Sequence, residues 1–324
     1  MMLPKEDSDI KYNEALKKKI ARLKKKHNAV IIAHNYQRDE IQEIADVSGD
    51  SLALSQAAVR TDAKIIVFCG VDFMAESASI LNPNKKVLLP VKEAGCPMAD
   101  MITPEKLRAM RRLYPDAAVV CYVNSSAEVK AESDIACTSS NAVAVVKSLP
   151  EQKIIFVPDK NLGRYVQTKV PEKQIIVWEG FCPTHIRVQG EDITKTKNLH
   201  LGAEILAHPE CNPEVLDLAD HICSTGGMFN YVKKSNSKEF IIATECGLLY
   251  RLQKENPDKK FYIPTPRLLC ATMKLTTLGW VAHSLENLVY EIKVADEIRE
   301  RAKRTLDRML AVTGEKKEVI LASY

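Results

Sequence analysis

Three short apolar segments in this chain each lead into a cysteine. Lys86-Val87-Leu88-Leu89-Pro90 runs to Gly95-Cys96-Pro97, Ile175-Ile176-Val177-Trp178 to Gly180-Phe181-Cys182-Pro183, and Phe261-Tyr262-Ile263-Pro264 to Leu269-Cys270. The cysteines stand 86 and 88 residues apart. A strand-then-cysteine unit at a near-constant period constrains the fold more than any single motif does. It predicts three homologous modules, each giving one thiol to a shared centre.

Other landmarks keep the same period. His34, Tyr122 and His208 close the first apolar segment of each copy; Ser51, Ser139 and Thr225 follow the second; Phe68, Phe156 and Ile242 lie in the third. All three series are spaced 88 and then 86 residues. The cysteines reverse that order, because third segment to cysteine is 28 residues in the outer copies and 26 in the middle one. A two-residue deletion in the middle copy satisfies all four series.

Between landmarks, short β-branched segments alternate with helical patterns, which is the signature of parallel α/β units. The expected architecture is α/β: three homologous three-layer αβα modules with short parallel sheets around a pseudo-threefold axis. Residues 1–106 hold an N-terminal helix and the first module, 107–193 the second, 194–283 the third, and 284–324 a C-terminal helix packing across them. The N-terminal helix spans 8–26, with Ile10, Leu16, Ile20 and Leu23 on one side and the lysine runs 17–19 and 24–26 solvated. The last helix reads as one pattern from Ser284 to about Leu310, through Leu285, Leu288, Val289, Ile292, Ala295, Ile298, Ala302, Leu306 and Met309.

Composition narrows the function. At 324 residues and 46% hydrophobic content, the chain can bury two or three domains' worth of core. A net charge of +4 is too mild for a nucleic-acid binder but suits anionic small molecules. Met1–Asp7 is polar and lacks the apolar core of a signal peptide, and no apolar run is long enough to span a membrane. Nine cysteines in that setting predict a reducing, cytoplasmic location, with thiols used for metals, catalysis or packing.

In parallel α/β sheets, ligands sit beyond the carboxyl ends of the strands. If the three modules turn those ends inward, one cavity collects three groups of residues. These are Cys96, Cys182 and Cys270; the first-strand set His34, Tyr36, Tyr122, Asn124, His208 and Glu210; and the hydroxyls Ser51, Ser139 and Thr225. Three thiolates suit a zinc with one open position, or a [4Fe–4S] cluster with one iron lacking a protein ligand. An open iron is a Lewis acid that promotes loss of water, whereas an electron-transfer cluster would want a fourth cysteine. Glu210 is a candidate general base. Ser224-Thr225-Gly226-Gly227-Met228 reads as a turn opening a helix, where N–H groups meet an anion. Cys69, Cys121, Cys137, Cys211, Cys223 and Cys246 read as packing thiols. His27, His185, His200, His221 and His283 read as ordinary structural or surface histidines.

Several stretches in one order resemble the quinolinate synthase family, the A protein of bacterial and archaeal NAD biosynthesis. They are Ala33-His34-Asn35-Tyr36-Gln37, Gly49-Asp50-Ser51-Leu52, Cys69 to Glu76, Tyr122-Val123-Asn124, Pro158 to Gly163, His208-Pro209-Glu210 and Ser224 to Met228, with the three cysteines in register. The resemblance covers about Ala33 to Lys274. It implies three α/β modules and a [4Fe–4S] cluster on Cys96, Cys182 and Cys270. It also implies condensation of iminoaspartate with dihydroxyacetone phosphate to quinolinate, phosphate and two waters, functionally coupled to an iminoaspartate-producing enzyme. By motif position, His34, Tyr36, Ser51, Tyr122, Asn124, Ser139, His208, Glu210 and Thr225 would line the site, with Tyr36, Tyr122, His208 and Glu210 moving protons. Some members carry a Cys-x-x-Cys-x-x-Cys run at the last ligand. Here Cys270 stands alone, so disulfide control at that run is not expected. Two rival readings remain: a zinc-dependent lyase or hydrolase on the same thiolates, and a non-enzymatic iron–sulfur sensor.

Overall fold

The computed structural model describes residues 7–312. The polar start at Met1–Glu6 and the end of the last unit, 313–324, lie outside the described residues. Among the described residues, twelve strands form three four-stranded sheets. The first holds β1 (Ala29–His34), β2 (Val47–Gly49), β3 (Ile65–Cys69) and β4 (Lys86–Leu88). The second holds β5 (Ala117–Tyr122), β6 (Ile135–Cys137), β7 (Lys153–Val157) and β8 (Gln174–Val177). The third holds β9 (Glu204–Ala207), β10 (His221–Ile222), β11 (Glu239–Ala243) and β12 (Lys260–Tyr262). Each sheet is parallel and keeps the same order, with its second strand at one edge, then its first, third and fourth. The strands are short, apolar and mostly buried on both faces, as parallel sheets flanked by helices require.

Strand register locates the deletion. Ala33 pairs with Cys69, Cys121 with Val157 and Ala207 with Ala243, so first and third strands stay in step. Third and fourth strands also stay in step, with Ile65 opposite Lys86, Ile154 opposite Ile175 and Phe240 opposite Phe261. The two missing residues therefore fall after the fourth strand, in the loop that carries Cys182. Gly180 lets that shorter loop hug its sheet: a Cβ there would lie 2.4 Å from the Pro158 carbonyl oxygen.

The repeat extends to polar braces. Asp46, Asp134 and Asp220 each accept a first-strand N–H, from Ile31 at 2.8 Å, Val119 at 2.7 Å and Ile205 at 2.8 Å. Lys85, Lys173 and Lys259 each donate to carbonyls at the end of the helix after the second strand: Ala58 and Thr61, Leu149 and Glu151, Val232 and Ser235. Each ammonium thus meets the negative end of a helix dipole.

The N-terminal helix runs Asp7–His27. Ile20 and Leu23 bury against the first sheet, but Ile10 is 48% exposed and lies outside the packed stripe. The expected single C-terminal helix is two helices, Leu278–Asn287 and Asp296–Val312. Leu288 adopts a left-handed φ of 53° and closes the first. The next residues form an edge pairing with β4: Leu89 N–H donates to the Tyr290 carbonyl at 3.0 Å, and Ile292 N–H to that of Val87 at 2.9 Å. Tyr290 to Val294 alternates apolar and polar residues, a strand pattern that also matches helical spacing over so short a run. Leu278–Asn287 covers the first sheet beside the N-terminal helix. Asp296–Val312 packs Ala302, Leu306 and Met309 into a core shared by the first two modules.

Candidate functional site

The carboxyl ends of all three sheets open on one cavity of about 180 Å³. Cys96, Cys182, Cys270, His34, Tyr36, Ser51, Tyr122, Asn124, Ser139, His208, Glu210 and Thr225 all line it. The first-strand set lies at or just past the ends of its strands, and the cysteines lie in the loops that follow the fourth strands. Ser51 and Thr225 are the first residues of helices Ser51–Arg60 and Thr225–Lys234, with caps Asp50 and Ser224.

A continuous hydrogen-bond chain crosses the cavity wall between modules. Tyr36 Oη lies 2.5 Å from Thr244 Oγ1, and that oxygen is 2.8 Å from His185 Nε2. His185 Nδ1 is 2.7 Å from Glu210 Oε2, and Tyr122 Oη donates to Glu210 Oε1 at 2.6 Å. One proton arrangement satisfies every link: Tyr36 donates to Thr244, Thr244 to His185 Nε2, and His185 Nδ1–H to the Glu210 carboxylate. His208 joins from the side, its Nε2 3.2 Å from Ser139 Oγ and its ring stacked on His185 at 4.7 Å. Asn35 Nδ2 donates to Thr225 Oγ1 at 3.0 Å, leaving the Thr225 O–H free to donate. Asn124 Oδ1 is buried without a hydrogen-bond partner among the described residues, as expected of an atom that awaits a ligand.

Burial sets the electrostatics. It drives His34 and His208 down to about 3, so both are neutral imidazoles near neutral pH. Burial likewise raises the Tyr36 and Tyr122 phenols, which stay protonated donors. Burial alone would also raise Glu210. Its two histidine neighbours and the Tyr122 and His185 hydrogen bonds reverse that and hold the carboxyl below its usual range.

The three cysteines are free thiols. Burial pushes Cys96 up to about 12 and raises Cys182 well above an ordinary thiol, so as thiolates they call for a cation among them. All three thiols line the one cavity. Two of their loops are tied down by acidic residues at the ends of the third strands. Asp159 Oδ2 accepts the Cys182 N–H at 3.1 Å, and Glu245 Oε1 accepts the Cys270 N–H at 3.1 Å. A second donor set overlaps the first: Cys182, His185 and Glu210 present ligand atoms all within 4.8 Å of one another. The cavity therefore has the donors to hold a metal.

Of the packing thiols, Cys69, Cys121, Cys137 and Cys211 are fully buried, and Cys223 and Cys246 partly so. Sequence reasoning missed His185 by treating it as ordinary. It stands three residues past Cys182, where the other copies have Ala99 and Met273, and that departure from an apolar repeat was a usable signal. Thr244, Asp159 and Glu245 were also missed, because their roles depend on contacts between loops.

The family description "Quinolinate synthetase A protein" matches residues 18–311. The chain belongs to the quinolinate synthetase A family. Quinolinate synthases similar to it include that of Geobacter sp. (strain M21), 57% identical over 299 residues, covering 92% of this chain and 98% of that one. Those of Caldicellulosiruptor bescii and Methanoregula boonei are 55% and 54% identical, each over 297 residues with the same coverage. Membership makes this an enzyme of NAD biosynthesis, and the family match extends beyond both ends of the stretch that carries the sequence motifs. No helix among the described residues is long and apolar enough to cross a membrane.

Proposed function

We propose that this chain condenses iminoaspartate with dihydroxyacetone phosphate, yielding quinolinate, phosphate and two waters. The observation that carries the reading is the convergence of three equivalent thiols and the Tyr36–Thr244–His185–Glu210–Tyr122 chain on one cavity. Cys96, Cys182 and Cys270 would hold a [4Fe–4S] cluster. Their three loops present matched thiols, and the Asp159 and Glu245 carboxylates hold two of those loops in place. When bound, such a cluster supplies an iron without a protein ligand, a Lewis acid for dehydration.

The chain's own residues supply binding and proton transfer. Ketose isomerisation and ring closure each need a proton taken from one atom and returned at another. Glu210, ionised and buried between Tyr122 Oη and His185 Nδ1, is placed to accept one, and Tyr122 or Tyr36 to return it. His34 and His208, held neutral, each accept a backbone N–H at Nδ1, from Tyr36 at 3.2 Å and Glu210 at 3.4 Å, which leaves Nε2–H as a donor without added charge. Ser51, Ser139 and Thr225 hydroxyls and the helix-start N–H groups suit the substrate carboxylates and phosphate, with Asn124 fixing orientation. An enzyme that produces iminoaspartate is the partner this reading implies.

The test is an anaerobic assay for quinolinate from the two substrates, with iron and sulfide measured on the same sample. Quinolinate formation with about four irons per chain supports the reading, and no product from the iron-loaded chain refutes it. The proximity of Cys182, His185 and Glu210 favours one alternative, a mononuclear zinc enzyme. One zinc and no sulfide per chain would select it.

A further inference from the structure

The turns after the three cysteines are equivalent, yet one differs in chemistry. Ala99–Met101, His185–Arg187 and Met273–Leu275 are single 3₁₀ turns that begin three residues past Cys96, Cys182 and Cys270. The outer copies end this turn on Met101 and Leu275, so the scaffold tolerates an apolar residue there. The middle copy ends it on Arg187, which is exposed and forms part of the cavity wall. A residue that is both sits where the cavity meets solvent.

Charge makes that position informative. Among the described residues lining the cavity, Arg187 is the one lysine or arginine, and the lining also includes the carboxylates of Asp50, Glu210 and Glu245. The cavity histidines His34 and His208 are neutral, for the reasons given above. Lys274, just behind the wall, is committed to Glu245 at 3.0 Å. The Arg187 guanidinium has no side-chain partner among the described residues. An uncommitted permanent cation at the rim of a net acidic wall offsets the repulsion that an incoming anion meets there. A guanidinium also matches an oxyanion with two parallel N–H donors.

We infer that Arg187 binds an oxyanion of the incoming substrate, a carboxylate or phosphate group, at the entrance to the cavity. This rests on the quinolinate-forming reading and adds the residue that draws its anionic substrates in. The role is distinct from that of the neutral hydroxyls deeper in the cavity, which carry no charge to act at a distance.

The experiment compares the anaerobically reconstituted enzyme with R187Q and R187K. Each is titrated with inorganic phosphate and with quinolinate, a dicarboxylate without phosphate, and KM is measured for both substrates. R187Q should weaken at least one probe and raise the matching KM by about tenfold, the lower end for a charged hydrogen bond because the site is exposed. Iron and sulfide content should be unchanged. R187K should recover part of the loss, keeping the charge without the fork. Wild-type affinity should also fall more steeply with added salt than that of R187Q. Loss confined to phosphate identifies a phosphate contact, and loss confined to quinolinate a carboxylate contact. Both probe affinities and both KM values within twofold of wild type in R187Q would overturn the inference. If the wild-type enzyme forms no quinolinate, the parent reading fails, while the probe titrations still decide whether Arg187 binds oxyanions.

Discussion

Replacing Glu210 by Gln separates proton chemistry from scaffolding at the centre of the site. The carboxylate accepts from Tyr122 Oη at 2.6 Å and lies 2.7 Å from His185 Nδ1. In Glu210→Gln, the amide oxygen still accepts from Tyr122. The amide N–H₂ faces His185, whose ring can shift its proton to Nε2 and donate to Thr244 Oγ1 at 2.8 Å, leaving Nδ1 to accept. Both contacts survive as neutral bonds, so the stability loss is limited to about 1–3 kcal/mol. The group that takes a proton is gone, and general acid–base work contributes about 10²–10⁴-fold, roughly 3–5 kcal/mol of barrier. The assay is anaerobic quinolinate formation, with iron content and urea midpoint measured on the same preparation. The expected result is a folded, iron-loaded variant with turnover down by at least about a hundredfold. Turnover within a few-fold of wild type would refute the assignment of Glu210 as the proton acceptor.

Ser in place of Cys96, Cys182 or Cys270 should abolish iron and sulfide binding. Cys121→Ala should keep the iron and cost only about 1 kcal/mol of core packing, as judged by iron analysis and urea denaturation. Thr225→Val and Ser139→Ala should raise KM for an anionic substrate about ten- to a hundredfold with iron content intact. Part of the Thr225 effect will come from leaving Asn35 Nδ2 without its acceptor. Stability of the iron-free chain should fall as pH drops below 6.5 toward about 3. Over that window the unfolded chain protonates His34 and His208 while the folded chain does not. The slope should reach up to about 1.4 kcal/mol per pH unit for each histidine. Glu210 adds to the loss at the acid end, and Asp159, raised by burial, opposes it. A double His34→Gln, His208→Gln variant with an equally steep urea-midpoint profile would refute this.

The threefold repeat was legible because each module meets the same local demands. A buried parallel strand needs a short β-branched run, and the loop after it needs residues that point past the strand end. Those demands recur at fixed spacing, so His34, Tyr122 and His208, or Cys96, Cys182 and Cys270, could be matched by number alone. Even the two-residue deletion was countable, although only strand register placed it after the fourth strand. What the sequence could not reveal lies between modules. The Tyr36–Thr244–His185–Glu210–Tyr122 chain alternates among three sheets, and no spacing along the chain encodes which loops meet. The C-terminal break is similar: Tyr290 to Val294 satisfies both a helical and a strand period, and only the open edge of β4 decides for the strand. Local periodicity thus determined the modules and their ligand-bearing ends. Tertiary packing decided which side chains share a proton, which carboxylates hold the cysteine loops, and where Arg187, without a side-chain partner among the described residues, faces the cavity, because those depend on distances across interfaces that no single module specifies.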